Sequence, residues 1–416
     1  MRPADLGAEL PVISRRMSRS MRDGSHVFTQ YRQMLISKGA GREPRVISVP
    51  TARDRVVLRV LANVLLELFP QARGSLPHLK VGQVREAVAS AAWDSFVRVD
   101  VRDFYGAIPH GVIDRSIRAR VPQGPINALL AAAIATPTVP DGAPKSTGRN
   151  VLGVPQGLSI SNVVAEIVAS VVDAQFANRA ELMYFRFVDD VLILCNSAQT
   201  RGLFDEVQGA FSSIGLDVHP LDVPHSKSSM GRIADSFDYL GYVFDGQSVS
   251  VRPASVRKVE SNIARVFATY KRDLASGDPD GTARARCMWR LNLIITGCVY
   301  ERKRLGWVRY FQQMDDLTLL KRLDLTVDRL EKRFMSSATA GRKKFVRTYW
   351  ALARTDRTQY IPDFDAADSA RMRQTLSQVF GIAGASTMTD PEVRTRFFDI
   401  VRKEVDRLEV DVARFS

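Results

Sequence analysis

The stretch YFRFVDDVLIL, residues 184–194, decides how the rest of the chain reads. Two short apolar runs, Tyr184 to Phe187 and Val191 to Leu194, flank Val188, Asp189 and Asp190, which is a strand–turn–strand pattern. Taken alone, adjacent aspartates at a hairpin tip are ordinary turn residues, because their side chains satisfy nearby backbone donors. A carboxylate upstream changes their weight. From Ser95 to Val101 the pattern has period two, with Val97, Val99 and Val101 on one face and Arg98 and Asp100 on the other. Asp100 therefore ends a strand, and it can project from the same sheet edge as the hairpin tip.

Outward from this centre the chain alternates strands and helices. Residues 1–41 are polar and basic and read as an arm with one or two short helices. Arg45 to Pro50 reads as a short strand ended by proline. Val57, Leu61, Val64 and Leu68 follow at helical spacing, and Pro70 closes that helix. A helical stretch is expected around 112–135, a loop from Thr136 to Gly153, and a long apolar helix after Gly157. A helix near 200–214 should end at Gly215, with short strands at Leu216 to Val218 and Tyr239 to Phe244. From about Ser255 the pattern is helical to the end. The domain boundaries expected are 1–41, 42–253 and 254–416, an α+β core followed by an all-helical domain.

Composition narrows the partners. The net charge of +14 over 416 residues, with a pI near 9.9, favours a polyanion, and nucleic acid first. Cys195, Cys287 and Cys298 form no CxxC pair, so neither a zinc site nor a disulfide framework is expected, and a reduced, cytoplasmic setting fits. His219 and His225 read as ordinary polar residues. Arg15 and Arg16 are followed by no apolar segment of a secretory signal, and no run is long enough to span a membrane.

The chemistry that fits is nucleotidyl transfer. It needs two magnesium ions about 3.5–4 Å apart, one making the 3′-hydroxyl a nucleophile and one holding the triphosphate and leaving pyrophosphate. Such hard cations take oxygen ligands from one or two carboxylates plus substrate phosphates. A strand-end aspartate beside a hairpin-tip aspartate supplies them.

Six segments, in order, resemble the motifs of bacterial reverse transcriptases of the retron, group II intron and abortive-infection type. The resemblance covers roughly residues 42–250. RVISVPTARDR (45–55) resembles the fingers segment, VDVRDFY (99–105) motif A, GVPQGLSISN (153–162) motif B and FVDD (187–190) motif C. Gly215 and Leu216 with Lys227 resemble motif D, and FDYLGY (237–242) motif E. The fold implied is a right-hand polymerase: fingers and a palm with a ferredoxin-like antiparallel sheet, then an all-helical thumb-like domain.

By this resemblance Asp100 and Asp189 are the bridging ligands of two Mg²⁺ ions, with Mn²⁺ as a substitute, and Asp190 is a weaker third carboxylate. Tyr105 is at the steric-gate position, where a ring excludes a ribose 2′-hydroxyl. Gln156 and Gly157 line the floor under the incoming deoxynucleoside triphosphate. Arg45 binds triphosphate, with Arg53 or Arg55 assisting, since a forked, permanently charged guanidinium suits phosphate. Lys227 approaches the pyrophosphate, and Leu240, Gly241 and Tyr242 form the primer grip. The bland alternatives stay open: Arg53, Asp54 and Arg55 could tie a loop to a helix, Asp103 could start a helix, and Lys227 could be a solvated surface lysine.

Two departures bear on the subfamily. Phe187 stands where many members have tyrosine, and Asn162 where retroviral enzymes have proline. The run QGLSISN (156–162) resembles defence-associated members, including the unknown groups. The expected partners are an RNA template, which could be a dedicated non-coding RNA, and a DNA product. A homo-oligomer or protein partner is left open, and no membrane is involved. The alternatives are untemplated, protein-primed DNA synthesis, or a silent RNA-binding scaffold. Beyond 254 two clusters, Trp289 to Trp307 with Arg302, Lys303 and Arg304, and Arg342, Lys343, Lys344 with Arg347, suit either nucleic acid or a core with a basic rim.

Overall fold

The computed structural model describes residues 6–37, 41, 43–122, 124–144, 148–335, 341–354 and 359–409. The chain opens with α1 (Leu6–Arg22), the strands β1 (Tyr31–Ile36) and β2 (Arg45–Val49), and the helices α2 (Ala52–Leu68) and α3 (Pro77–Ala89). Strand β3 (Ser95–Asp100) leads into α4 (Phe104–Ala107), α5 (His110–Arg118) and α6 (Pro125–Ala135), then β4 (Thr138–Val139) and α7 (Ser161–Phe176). The hairpin β5 (Met183–Phe187) and β6 (Asp190–Cys195), helix α8 (Thr200–Ser213) and β7 (Ser229–Arg232) follow. The remainder holds β8 (Phe237–Tyr239), β9 (Tyr242–Asp245) and β10 (Ser248–Val251), then α9 (Pro253–Ala275) and α10 (Asp280–Thr296). Strands β11 (Cys298–Tyr300) and β12 (Lys303–Leu305) and helices α11 (Trp307–Tyr310), α12 (Leu317–Phe334), α13 (Phe345–Ala353), α14 (Ser369–Gln374) and α15 (Asp390–Glu409) complete it.

Packing divides the chain into two units, residues 1–75 with 93–232 and residues 76–92 with 233–416. The first is built on an antiparallel sheet of order β5-β6-β3-β7. Period two in β3 sends Val97 and Val99 into the core, where both are fully buried, as are Val191 and Ile193 of β6. Each contributes about 1.5–3 kcal/mol by leaving water. Against this face lies α7, whose Val164, Ile167, Val168 and Val172 recur at helical spacing and are buried. The register is fixed by these apolar faces, since a one-residue slip would turn Val97 and Val99 away from the helices and bring Arg98 and Asp100 into the core in their place. It sets Asp100 opposite Asp190.

A second sheet, of order β2-β1-β4, carries the fingers segment. Its strand β2 holds the motif B loop by a bond from Ser48 N to Gln156 O of 2.7 Å. Gly157 sits directly on β2 with φ +97°, and a Cβ there would lie 2.6 Å from Ile47 Cγ2 and 3.1 Å from Ser48 O. Gly157→Ala should therefore cost about 2–4 kcal/mol, from left-handed strain plus overpacking. Urea unfolding checks this, and an unchanged midpoint would refute the close approach.

In the second unit β8, β9 and β10 form a meander. Arg85 of α3 donates to Gln313 O at 3.2 Å and pairs with Asp315 at 3.3 Å. Its helices enclose a core that includes Leu293, Phe364, Leu376, Phe397 and Val401.

Several elements differ from the sequence expectation. The arm carries one 17-residue helix, α1, whose Met17 and Met21 pack on the core, and the strand β1 follows it. The stretch 112–135 is two helices, and α3 and β7 stand where no element was read. Leu216 to Val218 forms no strand beyond one bridge, Val218 to Val101. Tyr239 to Phe244 is a hairpin rather than one strand, because Leu240 (φ 48°) and Gly241 (φ 84°) form a tight turn. The C-terminal helices are interrupted by the β11–β12 hairpin. Among the described residues no helix is long and apolar enough to cross a membrane.

Candidate active site

Where the central strands β3 and β6 end, three carboxylates stand on neighbouring backbone positions. Asp100 closes β3, Asp190 opens β6 opposite it, and Asp189 is the last residue of the turn between β5 and β6. The turn is stitched to β3 by a bond from Val101 N to Asp189 O of 3.0 Å. Burial first, then the negative charges of Asp100 and Asp190, push the Asp189 carboxyl up to about 6; its own backbone N–H and the Lys227 charge offset this in part.

The other two carboxylates hold cations of the chain itself. Arg98 lies two residues before Asp100, hence on the same face, and diagonal to Asp190 across the ladder. Its Nε and Nη2 take both Asp190 oxygens, at 2.9 and 3.0 Å. Lys227 Nζ sits 2.9 Å from Asp100 Oδ1, and His219 Nε2 is 3.3 Å from the same oxygen. The segment after α8 delivers these residues: Arg102 N donates to Asp217 O at 2.8 Å, and His219 N to Asp100 O at 2.9 Å. Burial lowers the affinity of His219 for a proton, with the Asp100 charge opposing.

The turn itself is held from behind. Val188 has φ 57°, a costly conformation for a β-branched residue. Arg186 supports it, donating from Nη1 to Val188 O at 2.9 Å. The remaining donors of the same guanidinium go to Glu166 (3.2 and 2.7 Å) and Asp173 (2.7 and 2.6 Å) on α7. Tyr184 OH adds a bond to Asp173 at 2.8 Å. These carboxylates keep the buried guanidinium firmly charged against the cost of its burial.

Motif B borders the same site. Val154 N donates to Tyr105 O at 2.7 Å, Gly153 N to Ile108 O at 2.9 Å, and His110 Nε2 to Gly153 O at 2.9 Å. Tyr105 OH donates to Asn162 Oδ1 at 3.0 Å. Burial and the neighbouring charges of Asp189 and Glu166 hold the Tyr105 hydroxyl protonated, while the positive charge of exposed Arg45 acts in the opposite sense. Gln156 and Gly157 meet β2 as described.

The structure thus brings together Asp100, Asp189, Asp190, Lys227, Tyr105, Arg45 and the motif B loop. Arg53 is engaged elsewhere: its Nη2 donates to Val27 O at 2.9 Å and to Thr29 Oγ1 at 3.3 Å. Asp54 is fully buried and accepts from Thr51 (2.8 Å), His26 (3.0 Å) and Thr29 N (3.1 Å), so this segment ties a loop to α2. Leu240, Gly241 and Tyr242 belong to the second unit. There Leu240 O accepts from Tyr310 OH at 3.2 Å and Gly241 O from Arg252 N at 2.9 Å, while Tyr242 is fully buried. Asp103 precedes α4 and Ala107 N donates to its carbonyl at 2.9 Å. Sequence reasoning missed Arg98, Arg186, Glu166, Asp173 and His219. Arg98 was recoverable from register; His219 had no local signal.

In the second unit the aromatics of both basic clusters are structural. Trp289 packs on Phe364 and Phe380, and Trp307 is buried against Phe311 and Phe345. Arg342 pairs with Asp328 and Glu331, and Lys343 and Arg347 lie over the Tyr360 ring at 4.3 and 4.5 Å. The three cysteines are free and buried.

For a divalent cation the donor set is chemically apt: hard carboxylate oxygens, one of them crowded by like charge. Among the described residues, however, no three His, Cys, Asp or Glu side chains converge into a ready metal cluster. Two of the three carboxylates instead hold Arg98 and Lys227. Mg²⁺ needs only one or two carboxylates beside substrate phosphates, so Asp100 and Asp189 would suffice to hold it once Lys227 releases Asp100.

A β3 aspartate beside a β5–β6 hairpin carrying two more, bordered by a glycine loop packed on the fingers strand, defines the palm and fingers of a right-hand polymerase. The family described as reverse transcriptase (RNA-dependent DNA polymerase) matches residues 36–244, just over half of the chain, and the chain belongs to that family. Among solved structures it is similar to telomerase from Candida albicans in complex with a fragment of telomeric RNA, with 14% identity and a TM-score of 0.48, over 93% of this chain and 63% of that one. It is also similar to apo telomerase from Candida tropicalis, with 13% identity and a TM-score of 0.45, over 93% of this chain and 66% of that one. The chain spans just under two thirds of the length of these structures. No curated protein matches the sequence.

Proposed function

We propose that the protein adds deoxynucleotides to a primer 3′-hydroxyl by a two-metal mechanism, copying RNA, in prokaryotic antiviral defence. The observation that carries the mechanism is the register that sets Asp100 at the end of β3 opposite Asp190 at the start of β6, with Asp189 beside them in the turn. Asp100 and Asp189 would hold Mg²⁺, or Mn²⁺ in its place. When bound, the ions activate the 3′-hydroxyl and stabilise charge on the triphosphate. Asp190, fixed by Arg98, orients the edge and adds negative potential. Lys227, on Asp100, is within the site to meet the leaving pyrophosphate. Arg45 meets the triphosphate, and Gln156 and Gly157 floor the nucleotide.

The motif B run supports placing the chain among defence-associated bacterial enzymes of the retron, group II intron and abortive-infection type. Residues 42–253 serve as fingers and palm, 254–416 as a thumb-like domain, and Leu240 to Tyr242 as the primer grip. The template could be a dedicated non-coding RNA.

The test is single-nucleotide extension of a primer on defined RNA templates with Mg²⁺ and each deoxynucleoside triphosphate in turn. Strictly complementary incorporation is expected. Incorporation without a template would replace this reading with untemplated, protein-primed synthesis, and no incorporation under any metal would leave an RNA-binding scaffold.

Tyr105 sets the sugar. Tyr105→Val should raise ribonucleotide use relative to deoxynucleotide use by about 10–10²-fold, because a pocket wall that rejects a single group is worth that much. Asn162→Ala, which frees the ring by removing its 3.0 Å anchor, should move the ratio in the same direction by less. Ratios unchanged in both variants would remove Tyr105 from sugar selection.

A further inference from the structure

The second unit contains a cavity of about 400 Å³ between α9, α10 and α15, a volume in the range that takes a small ligand. Four arginines line it, Arg265 and Arg272 from α9, Arg290 from α10 and Arg407 from α15, against one acid, Glu404. Glu404 is nearly buried and its Oε1 accepts from Arg290 at 2.8 and 3.1 Å and from Arg407 at 2.9 Å. One carboxylate thus orients two guanidinium groups without neutralising them. Arg265 and Arg272 have no acidic partner and no side-chain hydrogen bond among the described residues. They stand two turns apart on one face of α9, at the rim. The wall behind them is apolar, formed by Val266, Leu293 and Leu408.

Among the described residues lining this half-open cavity the surplus of three positive charges favours an anion, and forked guanidinium donors match phosphate oxygens. The apolar wall offers a flat partner a phosphate alone would not need. We infer that this cavity is a nucleotide site, taking the phosphates of a nucleoside di- or triphosphate on Arg265, Arg272 and Arg407 and its base or sugar against Val266, Leu293 and Leu408. It lies wholly within the second unit, on residues that no motif of the polymerase reading includes.

The same phosphate chemistry could be presented by a free nucleotide or by one nucleotide of a strand, so the experiment carries both. Fluorescently labelled GTP, inorganic tripolyphosphate and a single-stranded RNA oligonucleotide are titrated onto the full-length protein in a chelator, which removes metal-dependent triphosphate binding. Labelled GTP is expected to bind and tripolyphosphate to compete with it. Arg265→Ala with Arg272→Ala should weaken GTP binding at least about tenfold, the loss expected for charge-assisted phosphate contacts. Glu404→Gln keeps the shape, removes the only negative charge among the described lining residues and should tighten binding about threefold or more by leaving the arginines unopposed. Asp189→Asn should leave it unchanged. The inference is overturned if GTP does not bind, if the double variant binds as wild type does, or if only oligonucleotide binding depends on Arg265 and Arg272.

Discussion

Asp189→Asn should abolish DNA synthesis while making the protein more stable. The variant loses a carboxylate that would bridge the catalytic cations, a loss of several kcal/mol of transition-state stabilisation and so about 10³-fold or more in rate. Its effect on stability follows from the raised carboxyl. A group pushed up to about 6 from 3.8 favours the folded state when protonated, and that contribution is lost as pH rises through the folded value. Near pH 8 the wild type holds three crowded carboxylates, two of them paired and Asp189 ionised against them. Asparagine removes that repulsion. Melting temperatures measured without metal should be higher for the variant above pH 6 and should converge below about pH 4, where both chains carry a neutral side chain there. Added Mg²⁺ should then raise the wild-type melting temperature alone, since under the proposed mechanism it would bind only the folded wild-type site. Full polymerase activity in Asp189→Asn, or in the Asp189→Ala, Asp190→Ala double variant, would end the two-metal reading. A variant no more stable than wild type at pH 8 would show that Asp189 is not strained by its neighbours.

Arg186→Met should unfold the first unit more readily than any change at the catalytic edge. All five donors of the guanidinium are used, on Glu166, Asp173 and Val188 O. Removing them leaves two carboxylates facing each other with little water, at a cost of about 3–5 kcal/mol. It also releases the carbonyl that keeps Val188 left-handed, so activity should fall further than stability alone explains. Arg186→Lys keeps the charge but offers three donors in the wrong geometry, and should recover part of the stability and little of the rate. The check is urea unfolding alongside primer extension. Restored stability in Arg186→Met combined with Glu166→Gln and Asp173→Asn would confirm that unpaired charge is the cause. An Arg186→Met protein with the wild-type midpoint would refute it.

What the sequence made legible was whatever local periodicity encodes. Val97, Val99 and Val101 announce a strand within seven residues, and the runs around Asp189 and Asp190 announce a hairpin. Strand β7, with Gly231 and only Ser229 and Met230 before it, carries no such pattern; it is a strand because β3 offers it an edge. Tyr239 to Phe244 looked continuous because the turn at Leu240 and Gly241 is itself apolar. The charged pairs were hidden for a different reason. Arg98 meets Asp190 across 92 positions, and Lys227 meets Asp100 across 127, so each pairing exists only once register and loop path are set. Arg53 shows the converse: its place in a motif suggested triphosphate, while its neighbours Val27 and Thr29 lie in a segment the motif does not contain.

The pairing of Asp100 with Lys227 and of Asp190 with Arg98 has a consequence for handling the protein. A site built only of carboxylates would depend on its metal to hold together, and stripping the metal would loosen it. Here the chain carries its own counter-ions, so folding and arming are separate events. Dialysis against a chelator should leave an intact, storable protein, and restoring magnesium should switch it on by exchanging one cation for another rather than by rebuilding the site.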